Sequence, residues 1–257
     1  MPASFALMLK DWRHRRRLSQ LELGLAADVS TRHVSFLETG RSSPSRQMVV
    51  RLCEILGVPH AERNRCLHAA GFAPLYPNSN NDAEIDGPIR EALDWSLHRH
   101  DPYPAMALDR YWHLTQLNQC GERLMSIVGL AKGASLLDEM LDTDRMSRLV
   151  VNWAEVTHHL STRLRTESAF LGGDERLDRA AATFAEIASQ YAQPVTDELP
   201  SVIPLTLQLE NQQLRLFSMI GQFGTVQDIA LADLKLELMY PVDDSSRALL
   251  EQMAAAH

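Results

Sequence analysis

Apolar positions in the first seventy residues recur at three- and four-residue intervals, in short bursts separated by serine, glycine and proline. That pattern predicts five short helices. Phe5 to Arg17 carries Leu9 and Trp12 on one face and ends in basic residues, which suit the negative end of a helix dipole. Ser19-Gln20-Leu21-Glu22 is a capping-box sequence that opens a second helix, Gln20 to about Ala27. Asp28-Val29-Ser30 makes a tight turn, and Ser30 caps a third helix, Thr31 to Thr39, which Gly40 stops. Pro44-Ser45 opens a fourth, Arg46 to Leu56, ended by Gly57-Val58-Pro59. A fifth runs from about His60 to Ala70 and closes at Gly71.

Residues 73–86, APLYPNSNNDAEID, break the periodicity and read as a linker. Beyond them the pattern is mixed. Ile89 to His98 is helical, and Pro104 to Asn118 reads as a hairpin turning at Arg110-Tyr111, with Asn118 as the N-cap of a following helix. Met140 to Thr166 has helical spacing through Leu149, Trp153, Val156, Leu160 and Leu164, and another helix covers about Glu175 to Gln193. From Pro204 the period becomes two: Leu205, Leu207 and Leu209, a polar turn at Asn211-Gln212, then Leu214 and Leu216 to Ser218. Lys235 to Tyr240 is a further strand, and Ser245 or Ser246 starts a terminal helix. The expected organisation is an all-α domain at 1–72, a linker at 73–86, and at 87–257 an α+β domain with a small antiparallel sheet and helices against it.

Composition changes this picture mainly through charge. With 45% hydrophobic and 23% charged residues, the 257-residue chain is an ordinary globular sequence with enough material for two cores. No apolar run approaches ~18–20 residues and the start has no cleavage pattern, so neither a membrane span nor a secretory leader is expected. Cys53, Cys66 and Cys120 are an odd, scattered set, which favours a reducing cytoplasm over a disulfide framework. The net charge of −8 taken alone speaks against nucleic acid, but it is an average. Residues 1–72 carry a net +5 and the remainder −13. The basic end is a candidate DNA-binding head, and the acidic remainder is expected to repel DNA and confine contact to one face.

Two short helices joined by a three-residue turn form a helix-turn-helix, whose second helix can enter the major groove. SQLELGLAADVSTRHVSFLETGRSSPSRQMVVRLCEILGV resembles the xenobiotic-response-element family of helix-turn-helix regulators, to which phage repressors belong. The resemblance covers about Leu9 to Ala70 and rests on Ser19-Gln20, Leu23, Val34-Ser35, Glu38-x-Gly40-Arg41 and Pro44-Ser45. It implies a lambda-repressor-like five-helix domain. Asp28 departs from the family's usual glycine in the turn, at a position where Asp tolerates left-handed backbone. The family directs the positions of Thr31, Arg32 and Phe36 toward base edges. Arg32 suits a bidentate contact with guanine and Phe36 a thymine methyl, with a core role the alternative for Phe36. Gln20, Arg41, Ser43 and Arg46 fall at phosphate-contact positions, Arg16 joins them from the Arg15-Arg16-Arg17 run, and His33 is either a backbone contact or solvated. Arg13 and Glu38 look like the family's structural ion pair, the alternative being a DNA contact by Arg13.

From about Ile85 to Ala254 the chain resembles the MmyB-like ligand-binding domain, a PAS-like fold, through PAMALDRYWHLTQLN, VVNWAEVTHHLSTRLR and LKLELMYPVDD. That resemblance implies an apolar cavity and fatty-acid-like ligands. Leu114, Trp153, Phe170, Phe184 and Phe217 are nominated as pocket residues, each with plain core as its alternative. No cofactor or metal is expected: His98-x-His100-Asp101 and His158-His159 lack a third ligand at a motif spacing, and no P-loop, dinucleotide fingerprint or nucleophile elbow is present. The chain therefore reads as a DNA-binding, non-enzymatic transcription regulator, a homodimer on a palindromic double-stranded operator, sensing a small apolar molecule. Alternatives for the acidic part are a ligand-free dimerisation or protein-interaction module, and a divergent enzyme tethered to DNA.

Overall fold

The computed structural model describes residues 4–78, 87–191, 202–224 and 226–255. Proximity of Cα atoms divides them into two compact units. The first gathers the described residues up to 78 with those of 168–174 and 225–232, and the second gathers the rest.

In the first unit the helices are α1 (Phe5–Arg15), α2 (Gln20–Ala26), α3 (Thr31–Glu38), α4 (Arg46–Ile55) and α5 (His60–Ala69). Ser4, Ser19, Ser30 and Ser45 start the first four, each hydroxyl accepting a hydrogen bond from the backbone N–H of Leu7, Glu22, His33 or Met48. These caps satisfy donors that a helix cannot satisfy for itself, so the serine spacing sets the element boundaries. The Ser19–Glu22 capping box forms in full. Between α2 and α3, Asp28 adopts φ +52 and the chain folds back so closely that a Cβ on Gly24 would lie 2.9 Å from the Val29 carbonyl oxygen. Leu9, Trp12, Leu23, Val34, Leu37, Val49, Leu52 and Leu67 form the core of this bundle.

The expected linker is partly structured. Asn64 Oδ1 accepts from the N–H groups of Leu75 and Tyr76 while its Nδ2 donates to the Tyr76 carbonyl. The Tyr76 ring stacks on His60 at 4.1 Å, and its hydroxyl accepts from Arg63. A proline-and-asparagine stretch is thus held by three side chains of α5, His60, Arg63 and Asn64. Residues 79–86 lie outside the described residues.

The remaining elements are α6 (Gly87–His98), β1 (Ala105–Leu108), β2 (Leu114–Leu117), α7 (Gln119–Ile127), α8 (Leu136–Met140), α9 (Thr143–Leu149), α10 (Trp153–Leu171), α11 (Glu175–Ser189), β3 (Leu205–Leu209), β4 (Gln212–Gln222), α12 (Ile229–Ala232), β5 (Lys235–Pro241) and α13 (Asp244–Ala255). The five strands form one antiparallel sheet in the order β2-β1-β5-β4-β3. Asn118 is 1% exposed and holds the first hairpin to α7: its Oδ1 accepts from Ala105 and Gly121, and its Nδ2 donates to Asp101 and the Tyr103 carbonyl.

Several boundaries differ from the sequence expectation. The helix expected from Met140 to Thr166 is broken twice. Val150 instead bridges Leu207, and the Val151 N–H donates to Thr206, so backbone groups that would continue a helix complete the edge of the sheet. The β3–β4 turn is Glu210-Asn211, one residue earlier than expected, with Glu210 at φ +48. β4 continues to Gln222 because it pairs with β5 along its whole second half, from Leu216↔Pro241 to Gln222↔Lys235. The terminal helix starts at Asp244, with the Asp243 carboxylate accepting from the Ser246 N–H.

Candidate functional site

Two arrangements stand out, one in each unit. In the first, α3 is held by a buried ion pair. Arg13 Nε and Nη2 donate to Glu38 Oε1 and Oε2 at 2.6 and 2.9 Å, Arg13 Nη1 donates to the Leu18 carbonyl at 2.8 Å, and Gln20 Nε2 donates to Glu38 Oε2 at 2.8 Å. The side chains of the pair are only 8% and 2% exposed. Burial opposes the Glu38 charge, but hydrogen bonds from Arg13 and Gln20 prevail and hold its pKa below the usual carboxylate range. The bond to Glu38 raises Arg13 correspondingly. One carboxylate therefore gathers side chains from α1 and the start of α2 onto the end of α3, which fixes how α3 is presented.

The outer side of α3 is differently made. The Arg32 guanidinium lies 5.1 Å from the centre of the Phe36 ring, and that of Arg41 lies 6.0 Å from it. Arg32, Arg41, Ser43 and Arg46 are exposed, while Thr31, His33 and Phe36 are half-buried. Among the described residues, Arg32, Arg41 and Arg46 form no ion pair with a carboxylate. Phe36 is thus a half-buried ring beside two cations, outside the core cluster of the bundle. Two expected phosphate contacts are committed internally. Arg16 donates from Nε and Nη2 to the carbonyls of Leu56 and Gly57 at 2.7 and 2.9 Å, satisfying acceptors at the end of α4, and the Gln20 amide nitrogen is taken by Glu38. Leu21 and Leu25 are 56% and 73% exposed on α2.

The second arrangement is a cavity of ≈ 130 Å³. Met106, Met125, Met140 and Met239, with Trp112 and Phe217, supply apolar wall, and His159, Arg163, Ser218 and Glu237 supply polar wall. On its wall, Trp112 has two cations over its ring, Arg163 with its guanidinium carbon 4.1 Å and Lys235 with its Nζ 5.2 Å from the ring centre. Trp112 Nε1 donates to Glu167 Oε2 at 3.0 Å. Lys235 Nζ and Arg163 Nε reach the two Glu167 oxygens at 2.7 and 3.0 Å, and Arg163 Nη2 lies 3.5 Å from Glu237 Oε2. The cluster is charge-balanced. Burial works against the Glu167 carboxylate, yet Lys235 and the other donors hold its pKa low; burial lowers Lys235. Burial, then the Arg163 charge, lowers His159, which keeps this imidazole neutral at pH 7.

Of the residues nominated from sequence, Phe217 lines this cavity. Leu114, Trp153 and Phe184 are core residues at 0%, 3% and 0% exposure, Trp153 packing edge-on against Phe184 at 6.3 Å. Phe170 corrects the expectation outright: it is 62% exposed. It lies beyond the last α10 residue that lines the cavity, Arg163. The sequence reading missed Trp112, Arg163, Glu167, Lys235 and Glu237. Arg163 and Glu167 had an available signal, an i,i+4 pair on a long helix. His98 Nδ1 lies 2.7 Å from the Asp94 carbonyl oxygen and His100 Nε2 lies 2.8 Å from that of Met239. Burial pushes the Cys120 thiol up to about 11, so it is a poor nucleophile.

Residues 89–253 match the family model described as MmyB-like transcription regulator ligand binding domain, and residues 4–66 match that of a helix-turn-helix domain. No curated protein matches the chain. Among the described residues, no helix is long and apolar enough to cross a membrane.

Proposed function

Because the chain belongs to the MmyB-like transcription regulators, with a helix-turn-helix domain ahead of its ligand-binding domain, we propose that it reads a specific operator through the exposed face of α3 and alters that binding when a small, mainly apolar molecule enters the acidic part. The observation that carries the reading is the Arg32–Phe36–Arg41 group, a half-buried ring beside two cations that have no carboxylate partner among the described residues. Arg32 is assigned to a guanine edge and Phe36 to a thymine methyl; Thr31 joins them at the front of the helix. Arg41, Ser43 and Arg46 are assigned to phosphates, with His33 at the margin. Arg16 and Gln20 contribute by positioning α3 and α4, with Arg13 and Glu38 as the structural pair.

One helix-turn-helix reads a half-site, so a homodimer on a palindromic duplex is the assembly proposed. Access to the operator places it in the cytoplasm. Neither matched family is an enzyme family, and the chain is read as acting by binding alone. The effector shifts DNA affinity by no more than its preference for one arrangement of the ligand-binding part over another. A fully enclosed long acyl chain calls for a pocket of roughly 300 Å³ or more, so the cavity as it stands favours the small and apolar part of the expectation over the fatty-acid-like part.

Selection from random duplexes tests this reading. The protein is expected to enrich a two-fold symmetric site, and Arg32→Ala to lose about 1–3 kcal/mol of discrimination at one position in each half. Enrichment of no sequence by the unaltered protein, or unchanged discrimination by Arg32→Ala, overturns it.

A further inference from the structure

Resting on that reading, we infer that the effector is a neutral single-ring aromatic molecule carrying one group that both donates and accepts a hydrogen bond, the chemistry of a phenol. Size comes first. A cavity of ≈ 130 Å³ is close to the ~150 Å³ that holds benzene in an engineered protein core. The walls come second. Met106, Met125, Met140 and Met239 line it together with six Leu, Ile and Val side chains; thioethers pack well against ring edges and adapt to irregular shapes, and Trp112 and Phe217 add aromatic surface.

The polar wall decides the substituent. Arg163 uses Nε for Glu167 and Nη2 for Glu237, and its Nη1 makes no hydrogen bond among the described residues. Glu237 uses Oε2 alone, and its Oε1 has no partner among them. Both residues line the cavity, Glu237 at 8% exposure. An unused donor and an unused acceptor on one wall suit a hydroxyl, which can accept from the first and donate to the second. Charge excludes the acid. Arg163 and Lys235 are balanced by Glu167 and Glu237, so a carboxylate would bring an uncompensated negative charge beside Glu237 in a desolvated site.

Calorimetric titration of the full chain with phenol, benzoate and dodecanoate at neutral pH, in parallel with Glu237→Gln, tests the inference. Phenol is expected to bind at least about tenfold more tightly than benzoate. Glu237→Gln removes the repelling charge, so it is expected to weaken phenol, strengthen benzoate and reverse their order. A purely structural role for Glu237 would weaken both alike. Benzoate or dodecanoate binding as tightly as phenol, an unreversed order, or no binding by any of the three overturns the inference. Should the variant fail to fold, the order in the unaltered protein decides. Dodecanoate binding alone, with altered DNA affinity, sinks the phenol while leaving effector sensing intact. Phenol binding without any change in DNA affinity removes sensing and supports the assigned site chemistry.

Discussion

Both units bury charge, but they arrange it differently. In the helix-turn-helix unit a single carboxylate, Glu38, receives Arg13 twice and Gln20 once, while Arg32 and Arg41 have no carboxylate partner among the described residues. In the ligand-binding unit four charged side chains share partners around Trp112, and Glu167 alone receives Arg163, Lys235 and the indole. The first is a clamp with one centre, fitted to holding a surface in a fixed pose. The second is a mesh with two linked centres, Glu167 with three donors and Arg163 with two carboxylates, so the loss of Lys235 leaves Glu167 paired.

The contrast breaks most visibly at Glu38. Glu38→Ala leaves the Arg13 guanidinium buried without its carboxylate, and about 3–5 kcal/mol of stability should be lost in denaturant titration of the helical unit. A loss below about 1 kcal/mol would mean that the clamp is not central. The same residue predicts an acid response. Its folded pKa lies below its unfolded one, so its contribution is complete above the unfolded carboxylate pKa and disappears as pH falls through the lower, folded value. Glu38→Gln should flatten that part of the stability–pH curve, and a curve unchanged by the substitution would assign the acid sensitivity elsewhere.

The mesh predicts a smaller effect. Lys235→Met keeps most of the side-chain volume and removes one donor from Glu167, which retains Arg163 Nε and Trp112 Nε1. About 2 kcal/mol should be lost, the range of one hydrogen bond to a charged group. A loss equal to that of Glu38→Ala, measured the same way, would show that the cluster also has a single centre and would erase the distinction.

The same difference explains what could be read from the sequence. The helical unit is specified by neighbours: serine caps three residues ahead of their targets, a capping box, and a residue tolerant of positive φ at Asp28. Even its ion pair spans only 25 residues and has a motif to mark it. The ligand-binding cluster joins Trp112 to Glu167 across 55 residues and Lys235 to Glu167 across 68. Local pattern there is misleading. Lys235 and Glu237 alternate with Leu234, Leu236 and Leu238, which by period two places the charges in water, yet they are 5% and 8% exposed. Both faces of β5 are covered, since Leu234 and Leu236 are buried as well as Lys235 and Glu237, and alternation along one strand does not reveal that. Phe170 fails for a related reason: an aromatic residue in a helical run gives no hint that it falls on the exposed side near the helix end.

The smallest effect is expected where the clamp is least involved. Arg46 is the first residue of α4, next to the Ser45 cap, exposed and without a carboxylate partner among the described residues. Its loss removes no buried contact, so Arg46→Ala should unfold like the unaltered protein. If its charge meets a phosphate, binding weakens by a similar factor on operator and random duplex, because a phosphate carries no sequence information. The slope of log affinity against log salt should then fall in magnitude by about 1, the release of one counterion. Arg32→Ala is the opposite case, changing preference between duplexes more than the salt slope. Measuring both variants on both duplexes over a salt series separates the roles. A sequence-dependent loss at Arg46 would move it from the positioning set to the reading set and extend the recognition surface from α3 to the start of α4.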